Sequence, residues 1–244
     1  MTTIVQQERT CALCGEKSHQ NVVSSTNVFG SPDLDLRPPE MRRSTMMYWL
    51  EECPHCGYVY GAIEELVSGV ETVVQRPEPP PEIPSPPRNI WARMHFRHSP
   101  PEPAAKPKRN LVKAFSTASR IAELGKQTEK AAEYALCAAW AADDARDNQT
   151  AKLCRDRAAK LFRTFLSDAE NSKDQRILIS TRLADILRRA EHWNEAIQLA
   201  TMTLDEAPDG PIRDVLAFEI ATSQKSDAAC YRISDVIKPN GASA

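Results

Sequence analysis

Two cysteine pairs constrain the fold of this chain more than any other feature. They occur as Cys-Ala-Leu-Cys-Gly at residues 11–15 and as Cys-Pro-His-Cys-Gly at residues 53–57. Each Cys-x-x-Cys turn presents two sulfurs to one ion, and two turns complete the tetrahedral thiolate set of a structural zinc site. The glycine after each pair can adopt the positive φ that turns backbone N–H groups toward sulfur. The predicted zinc ligands are Cys11, Cys14, Cys53 and Cys56.

The same four cysteines leave other interpretations open. The pattern is similar to rubredoxin, in which four cysteines bind iron and transfer electrons. A dithiol redox pair would need only one Cys-x-x-Cys, and no thioredoxin-like βαβ pattern surrounds either pair. His19 and His55 could replace a cysteine ligand, but with four cysteines available we interpret them as surface residues. Since four thiolates leave no open coordination position, we predict that the metal is not catalytic.

Residues 1–76 have few helix signals and carry short β-type segments at residues 21–23, 46–50 and 58–60. So small a region buries too little apolar surface to be stable unaided, and such domains depend on metals, disulfides or partners. The chain has neither an apolar leader-like segment at its start nor an uncharged apolar run of membrane length. We therefore expect a cytoplasmic protein without a membrane partner, in which paired cysteines bind metal more often than they form disulfides.

Most of the 18 prolines lie between residues 77 and 109. Proline fixes φ and lacks an N–H, so this stretch is predicted to be a semi-rigid linker of polyproline II type. Within it, residues 88–98 combine arginines with aromatic side chains, a composition that could stack on bases and contact phosphates. Because the net charge is only -2, we favour docking of this patch on the protein's own helices or on a partner, with nucleic-acid binding as the alternative.

From residue 110 onward, apolar residues recur at steps of three and four, which is the period of an amphipathic helix. The pattern predicts two antiparallel helices over residues 131–169, joined near Asp147. It predicts a second pair over residues 179–204, with Asn194 as an N-cap and Pro208 ending the pair.

One of these units resembles a tetratricopeptide repeat. In residues 183–208, Ala190 is the small residue at the close helix contact, Trp193 lies at the turn, and Ala196 packs against the first helix. Residues 212–222 could open a further unit. The predicted fold class is α+β, with a zinc-ribbon-like β module at 1–76, a proline-rich linker at 77–109, an all-α tetratricopeptide-like array at 110–238 and a tail at 239–244.

The polar loop between the cysteine pairs is the candidate binding feature. It is rich in turn formers and longer than a simple connection requires. One interpretation is a binding loop displayed on a zinc-held scaffold; the other is a solvated loop in which the aspartates form turns and the arginine pairs with one of them. Two carboxylates are too few for calcium. The candidate binding residues are Asn27, Asp33, Asp35 and Arg37.

The layout also resembles a known family. The elements concerned are the two cysteine pairs, the motif Asp33-Leu-Asp35-Leu-Arg37-Pro, Tyr-Trp-Leu at residues 48–50 and Ala-Ala-Trp at residues 138–140. Together they resemble an uncharacterised bacterial domain-of-unknown-function family that joins a four-cysteine zinc knuckle to tetratricopeptide-like helices. The resemblance implies this two-part fold and implies no reaction.

Three hypotheses about function remain open. The favoured one is a non-enzymatic interaction protein, in which a structural zinc module accompanies a helical array that binds a protein or peptide in a groove between helix pairs. The second is a nucleic-acid-binding or regulatory zinc ribbon that uses Arg37, Arg42, Arg43 and the patch at residues 88–97. The third is electron transfer by iron. The sequence has no nucleophile elbow, glycine-rich phosphate loop or HExxH helix, so we expect no enzyme.

Overall fold

The protein has the predicted α+β class: a small β region precedes a helical array. The structure is a computed structural model and describes residues 1–70, 109–167 and 171–237. The predictions for the proline-rich linker, apart from Arg109, for the patch at residues 88–98 and for the tail at 239–244 lie outside the described residues.

Two antiparallel hairpins carry the cysteine pairs. Strand β1 (Thr3–Thr10) pairs with β2 (Lys17–Ser25), and the short strand β3 (Glu51–Glu52) pairs with β4 (Val59–Tyr60). Each cysteine pair lies in the turn of its hairpin. Both turns can therefore face a common centre.

The β region differs in part from the prediction. Residues 46–50 are not a strand, since Met46–Tyr48 form a 3₁₀ turn after the short helix α1 (Glu40–Arg43). Strand β1 is not predicted because its side chains are mostly polar and exposed, so the chain shows no alternation of apolar residues there. The predicted strands at residues 21–23 and 58–60 are confirmed.

Consecutive helices pack against one another along the rest of the chain. Their bounds confirm the predicted pair joined near Asp147 and the second pair that ends before Pro208. The helices are α2 (Leu111–Leu124), α3 (Thr128–Asp144), α4 (Asn148–Leu166), α5 (Lys173–Arg189), α6 (Trp193–Glu206), α7 (Pro211–Gln224) and the short α8 (Ile233–Val236).

Side chains cap three of these helices in the expected way. Asn110, Asp147 and Ser172 each accept a hydrogen bond from a backbone N–H of the first turn of α2, α4 and α5. The predicted N-cap at Asn194 is wrong, because α6 begins at Trp193 and its N-cap is His192. The tight turn before α6 places Asn194 inside the helix.

The same tight turn follows α2, α3, α5 and α7. In each turn a residue other than glycine has a positive φ, and the next N–H bonds to the carbonyl five residues before it, as in a Schellman motif. A residue other than glycine in this region costs free energy, so the turns depend on packing of the helices that they join. The positive-φ residues are Lys126, Arg146, Glu191 and Ser226.

The β region shares one hydrophobic core with the helical array. Tyr60 donates a hydrogen bond to Gln127 Oε1 at 2.6 Å and meets the Tyr134 ring edge-on, with centroids 5.7 Å apart. Gly125 of the array comes so close to Val67 that a Cβ there would lie 2.5 Å from Val67 Cγ1. The region predicted as a zinc module is therefore packed onto the helices.

Candidate metal centre and the loop between its cysteines

Four cysteine sulfurs converge between the two hairpin turns. All four Sγ atoms lie within 4.8 Å of one another, with 3.7 Å between Cys11 and Cys56 and 3.6 Å between Cys14 and Cys53. A tetrahedral zinc ion with Zn–S bonds of about 2.3 Å holds its sulfurs about 3.8 Å apart. The four side chains therefore fit a single tetrahedral metal ion.

The two turns have matching hydrogen bonds. The N–H of Gly15 donates to the Cys11 carbonyl at 2.8 Å, and the N–H of Gly57 donates to the Cys53 carbonyl at 2.9 Å. The φ angles of the two glycines are +77° and +74°. The predicted positive φ at both glycines is confirmed, and it gives the two turns the same shape around the sulfurs.

The surroundings of the sulfurs differ among the four cysteines. Burial raises the pKa of the Cys11 and Cys56 thiols, so their thiolates need a positive charge to be stable, whereas the pKa of Cys14 is lowered, despite its burial, by a hydrogen bond from the Glu16 backbone N–H. His19 and His55 are exposed, and His55 Nε2 lies 3.3 Å from the Lys17 carbonyl oxygen. The two histidines are thus surface residues, as predicted, and the four thiols are the candidate ligands.

The loop between the cysteine pairs lies against the helical array. Asp33, Asp35 and Arg37 are only 2%, 0% and 4% exposed, whereas Asn27 is exposed. The expectation that the loop displays all four residues to solvent is therefore corrected for three of them. In the alternative of a solvated loop, the aspartate turn is confirmed, since Asp35 Oδ1 accepts the Arg37 N–H. This turn is buried, however, and the Arg37 side chain pairs with Asp144 of α3 instead of a loop aspartate.

Asp35 is the centre of this contact. Its Oδ2 accepts hydrogen bonds from Trp140 Nε1 at 2.7 Å and from Arg189 Nη1 at 2.9 Å. Its Oδ1 accepts the N–H of Arg37 at 3.1 Å, and its main-chain carbonyl accepts Arg182 Nε at 2.7 Å. Donors from α3 and α5 therefore satisfy both the side chain and the main chain of one buried residue.

The charges around Asp35 keep it ionised. Burial alone would favour the neutral acid, but Arg189 and the Trp140 N–H hold the pKa of Asp35 below its usual value. Arg189 also donates to Asp143 at 2.8 Å, and Asp143 in turn pairs with Arg155. Carboxylates and guanidinium groups thus alternate across the contact, which is the arrangement that buried charges require.

Contacts on both sides hold the loop in register. Arg37 Nη2 lies 2.6 and 2.7 Å from the two carboxylate oxygens of Asp144, and Arg43 donates to Asp33 at 2.8 Å. The main chain at residues 32–34 bonds to the main chain at residues 231–233 near the C-terminal end of the described chain. The loop is thus enclosed between α3, α5 and this segment.

The partners of the loop are not apparent from local sequence. Trp140 and Arg189 are 105 and 154 residues away from Asp35. Trp140 is buried as predicted, but its N–H has a polar partner. The available signal is the presence of three buried arginines at residues 182, 188 and 189 of α5, beside its apolar stripe.

The arginines proposed for nucleic-acid binding are partly occupied. Arg37 pairs with Asp144 and Arg43 pairs with Asp33, whereas Arg42 is exposed and has no salt bridge within the described residues. The remaining arginines of that hypothesis, at residues 88–97, lie outside the described part of the chain. The described contacts therefore do not favour the nucleic-acid alternative.

No helix in the described part of the chain combines the length and apolar character needed to span a bilayer.

Comparisons with known proteins identify no relative of this chain. No family model matches the chain, and no curated protein or solved structure gives a significant match. The resemblances to a bacterial family and to tetratricopeptide repeats stay predictions, and the candidate function depends on the site geometry alone.

Proposed function

We propose that the protein is a non-enzymatic interaction protein. In this proposal a structural zinc ion fixes the β region on the helical array, and the array binds a protein or peptide partner. The four-sulfur cluster is the observation that carries the proposal. Four thiolates fill the tetrahedral sphere of zinc and leave no position for a reacting water, so the metal supports shape and not a reaction.

The β region has a physical need for such an ion. Most side chains of β1 and β2 are exposed, and a two-stranded hairpin is marginally stable by itself. A metal between the two hairpin turns closes the chain segment at residues 15–52, which includes the loop that contacts α3 and α5. Zinc binding would therefore restrain the loop as well as the hairpins.

The contact between loop and array supports the second half of the proposal. Helices α3 and α5 already hold a tight turn of the chain at residues 33–37 by an indole N–H, guanidinium groups and a carboxylate. Charge-assisted hydrogen bonds of this kind are used for peptide recognition. A helical array with such donors is suited to binding a partner segment.

Metal analysis of the purified full chain tests the first half. We expect about one zinc per chain, a colourless protein, and loss of the metal in Cys53→Ser but not in the matched variant Cys154→Ser. Iron and a red colour would favour the rubredoxin-like electron-transfer alternative. Folded protein that holds no metal and has freely titratable cysteines would contradict the proposal.

Site-specific photo-cross-linking tests the second half. A photoreactive residue replaces Leu178 on α5 in one full-length variant and Val28 of the β region in the other; the two side chains are 49% and 52% exposed. The proposal expects a specific partner to be cross-linked at Leu178. A partner cross-linked only at Val28 would place binding on the β region and contradict this assignment.

A further inference from the structure

Residues 32–37, here called the resident segment, lie on the array as a bound peptide would. Their main chain bonds to residues 231–233 and to Arg182, and the Asp35 side chain is enclosed by donors. The side chains that hold the segment belong to α3 and α5, and together with Glu133, which holds Arg182, they are here called the acceptor face. Those that bond to the segment are Trp140, Asp144, Arg182 and Arg189.

The acceptor face is specific for an ionised carboxylate. Trp140 Nε1 and Arg189 Nη1 both donate to Asp35 Oδ2, and Arg182 donates to the adjacent carbonyl. Arg182 is itself held by a two-point pair with Glu133, and Arg189 by Asp143. The donors are thus positioned by the array itself, which is the preorganisation that a binding surface needs.

The resident segment fits this face imperfectly at its main chain and at one side chain. Leu36 has a φ of +66°, in the left-handed region that is unfavourable for a leucine. Nε of the buried Arg37 has no hydrogen-bond partner in the described structure. Both residues therefore lose free energy in the docked position that a better-matched segment would not lose.

Two clefts that open to solvent lie beside Leu36, which is 38% exposed. One, of about 190 Å³, lies between the resident segment, α5 and α7 and is lined by Leu34, Leu36 and Leu178 among others. The other, of about 380 Å³, lies toward α3 and is lined by Leu36, Trp49 and Trp140 among others. The resident segment therefore leaves space on both sides of Leu36 that larger side chains would fill.

We propose that the resident segment is an intramolecular occupant that a partner displaces from the acceptor face. The partner contributes an acidic turn with an aspartate in the place of Asp35 and larger apolar side chains in the two clefts. This inference rests on the proposed interaction function and names the class of partner. In the absence of the partner, the resident segment covers the acceptor face and satisfies its buried charges.

Hydrogen exchange of the unaltered protein is the first test. The Leu34 amide donates to the Tyr231 carbonyl at 2.9 Å and is hydrogen-bonded only while the segment is docked, whereas the Leu36 and Arg37 amides donate to Asp33 and Asp35 within the segment. A displaceable segment opens without global unfolding, so the Leu34 amide is expected to exchange at least tenfold faster than the amides of Leu136 and Leu183 in the cores of α3 and α5. Exchange of all three amides at one common rate would show a permanent part of the core and overturn the proposal.

Peptide binding is the second test. The probe is a fluorescent peptide with the sequence of residues 31–38, titrated by anisotropy into the full chain. Asp35→Ala removes the resident anchor, and binding is expected to be at least tenfold tighter than to the unaltered protein. Arg37→Ala frees the segment at the half-exposed Asp144 and serves as a second receptor if Asp35→Ala does not fold.

Matched controls establish the chemistry. The peptide with asparagine at its central aspartate is expected to bind at least tenfold more weakly, and the exposed-site variant Asp156→Ala is expected to behave as the unaltered protein. Failure of the peptide to bind either folded receptor variant would overturn the inference. So would a dimer that exchanges the resident segment between copies, since the occupant would then be a second copy.

The two proposals fail in distinguishable ways. A partner cross-linked at Leu178, together with no peptide binding, would overturn only the proposal that the resident segment is displaced. Peptide binding to Asp35→Ala, together with an iron centre in the purified protein, would overturn the structural-zinc function and leave the acceptor face in place.

Discussion

The β region and the helical array are stabilised in different ways. In residues 1–70 buried polar groups gather their partners at single points: four sulfurs meet at one place, the Asp35 carboxylate accepts three hydrogen bonds, and Glu51 accepts the N–H of Ile63 at 2.9 Å. The array instead buries many small side chains along its helices, such as the alanines of α3. Point contacts concentrate stability in single residues, whereas extended packing distributes it.

The reason for the difference is the amount of apolar surface that each region can bury. Hydrophobic stabilisation is proportional to the apolar area removed from water, and the exposed hairpin of β1 and β2 removes little. Substitutions in the two regions should therefore differ in size and in how far their effects extend.

The largest effect is expected for Cys53→Ser. Structural zinc sites contribute about 10 kcal/mol or more to small domains, so loss of one ligand should abolish cooperative folding of residues 1–70. Metal content and near-ultraviolet circular dichroism would measure it, with Cys154→Ser as the control. An unchanged unfolding temperature would mean that the β region does not depend on the sulfur cluster.

Asp35→Asn is expected to cost about 3 kcal/mol, because it removes one of the two carboxylates that pair with the buried guanidinium of Arg189. Urea unfolding would measure the loss, and Asp156→Asn at an exposed pair should cost less than about 1 kcal/mol. Because the pKa of Asp35 is lowered on folding, its contribution is present above the ordinary value of 3.8 and is lost as pH falls through the folded pKa. Equal losses of unfolding free energy in Asp35→Asn and Asp156→Asn would show that the buried contact of Asp35 is no more stabilising than an exposed ion pair.

Leu216→Ala is the counterpart in the array. Leu216 is fully buried in the smaller cluster between α5, α6 and α7, so the substitution should cost about 2–4 kcal/mol. Metal content and the exchange of the Leu36 amide should not change. Loss of the metal in this variant would show that metal binding in the β region depends on core packing in the array.

Gly125→Ala tests the contact between the regions. The added Cβ would lie 2.5 Å from Val67 Cγ1, so overpacking should cost about 1–3 kcal/mol. The double variant with Val67→Ala should recover most of the loss that Gly125→Ala adds. A single variant as stable as the unaltered protein would show that the regions can move apart at no cost.

A pH dependence of stability is expected within the array. Glu219 receives Arg188 Nε at 2.7 Å, but burial, followed by the nearby charge of Asp185, raises the pKa of Glu219 to about 8. The folded state therefore keeps a proton that the unfolded chain releases near pH 4.5, so stability falls as pH rises from about 4.5 to about 8. The slope for one proton is at most about 1.4 kcal/mol per pH unit.

Glu219→Gln should flatten this slope in urea unfolding experiments repeated between pH 5 and pH 8. Asp185 also has a raised pKa, so part of the slope should remain. A variant with the full slope of the unaltered protein would assign the pH dependence to other groups.

Short-range sequence patterns were sufficient for several features. The four cysteines, the positive φ at Gly15 and Gly57 and the helix boundaries near Asp147 and Pro208 are confirmed. Each depends on residues within one turn or a few helical turns. The prediction of a strand at residues 46–50 is wrong because residues 46–48 form a 3₁₀ turn, which buries Met46 and leaves Met47 exposed.

The sequence by itself thus determined the fold class, the sulfur cluster and most of the helices, since local spacing and periodicity encode them. Only the tertiary structure decided that the loop faces the array, because Asp35 meets Trp140 and Arg189 across more than a hundred residues. The recurring turns with a positive φ at Glu191 and its equivalents were also decided only by the tertiary structure, because no glycine occupies the positive-φ position. Tertiary packing determines which residue pairs with a buried charge, and the spacing of residues in the sequence does not indicate that pairing.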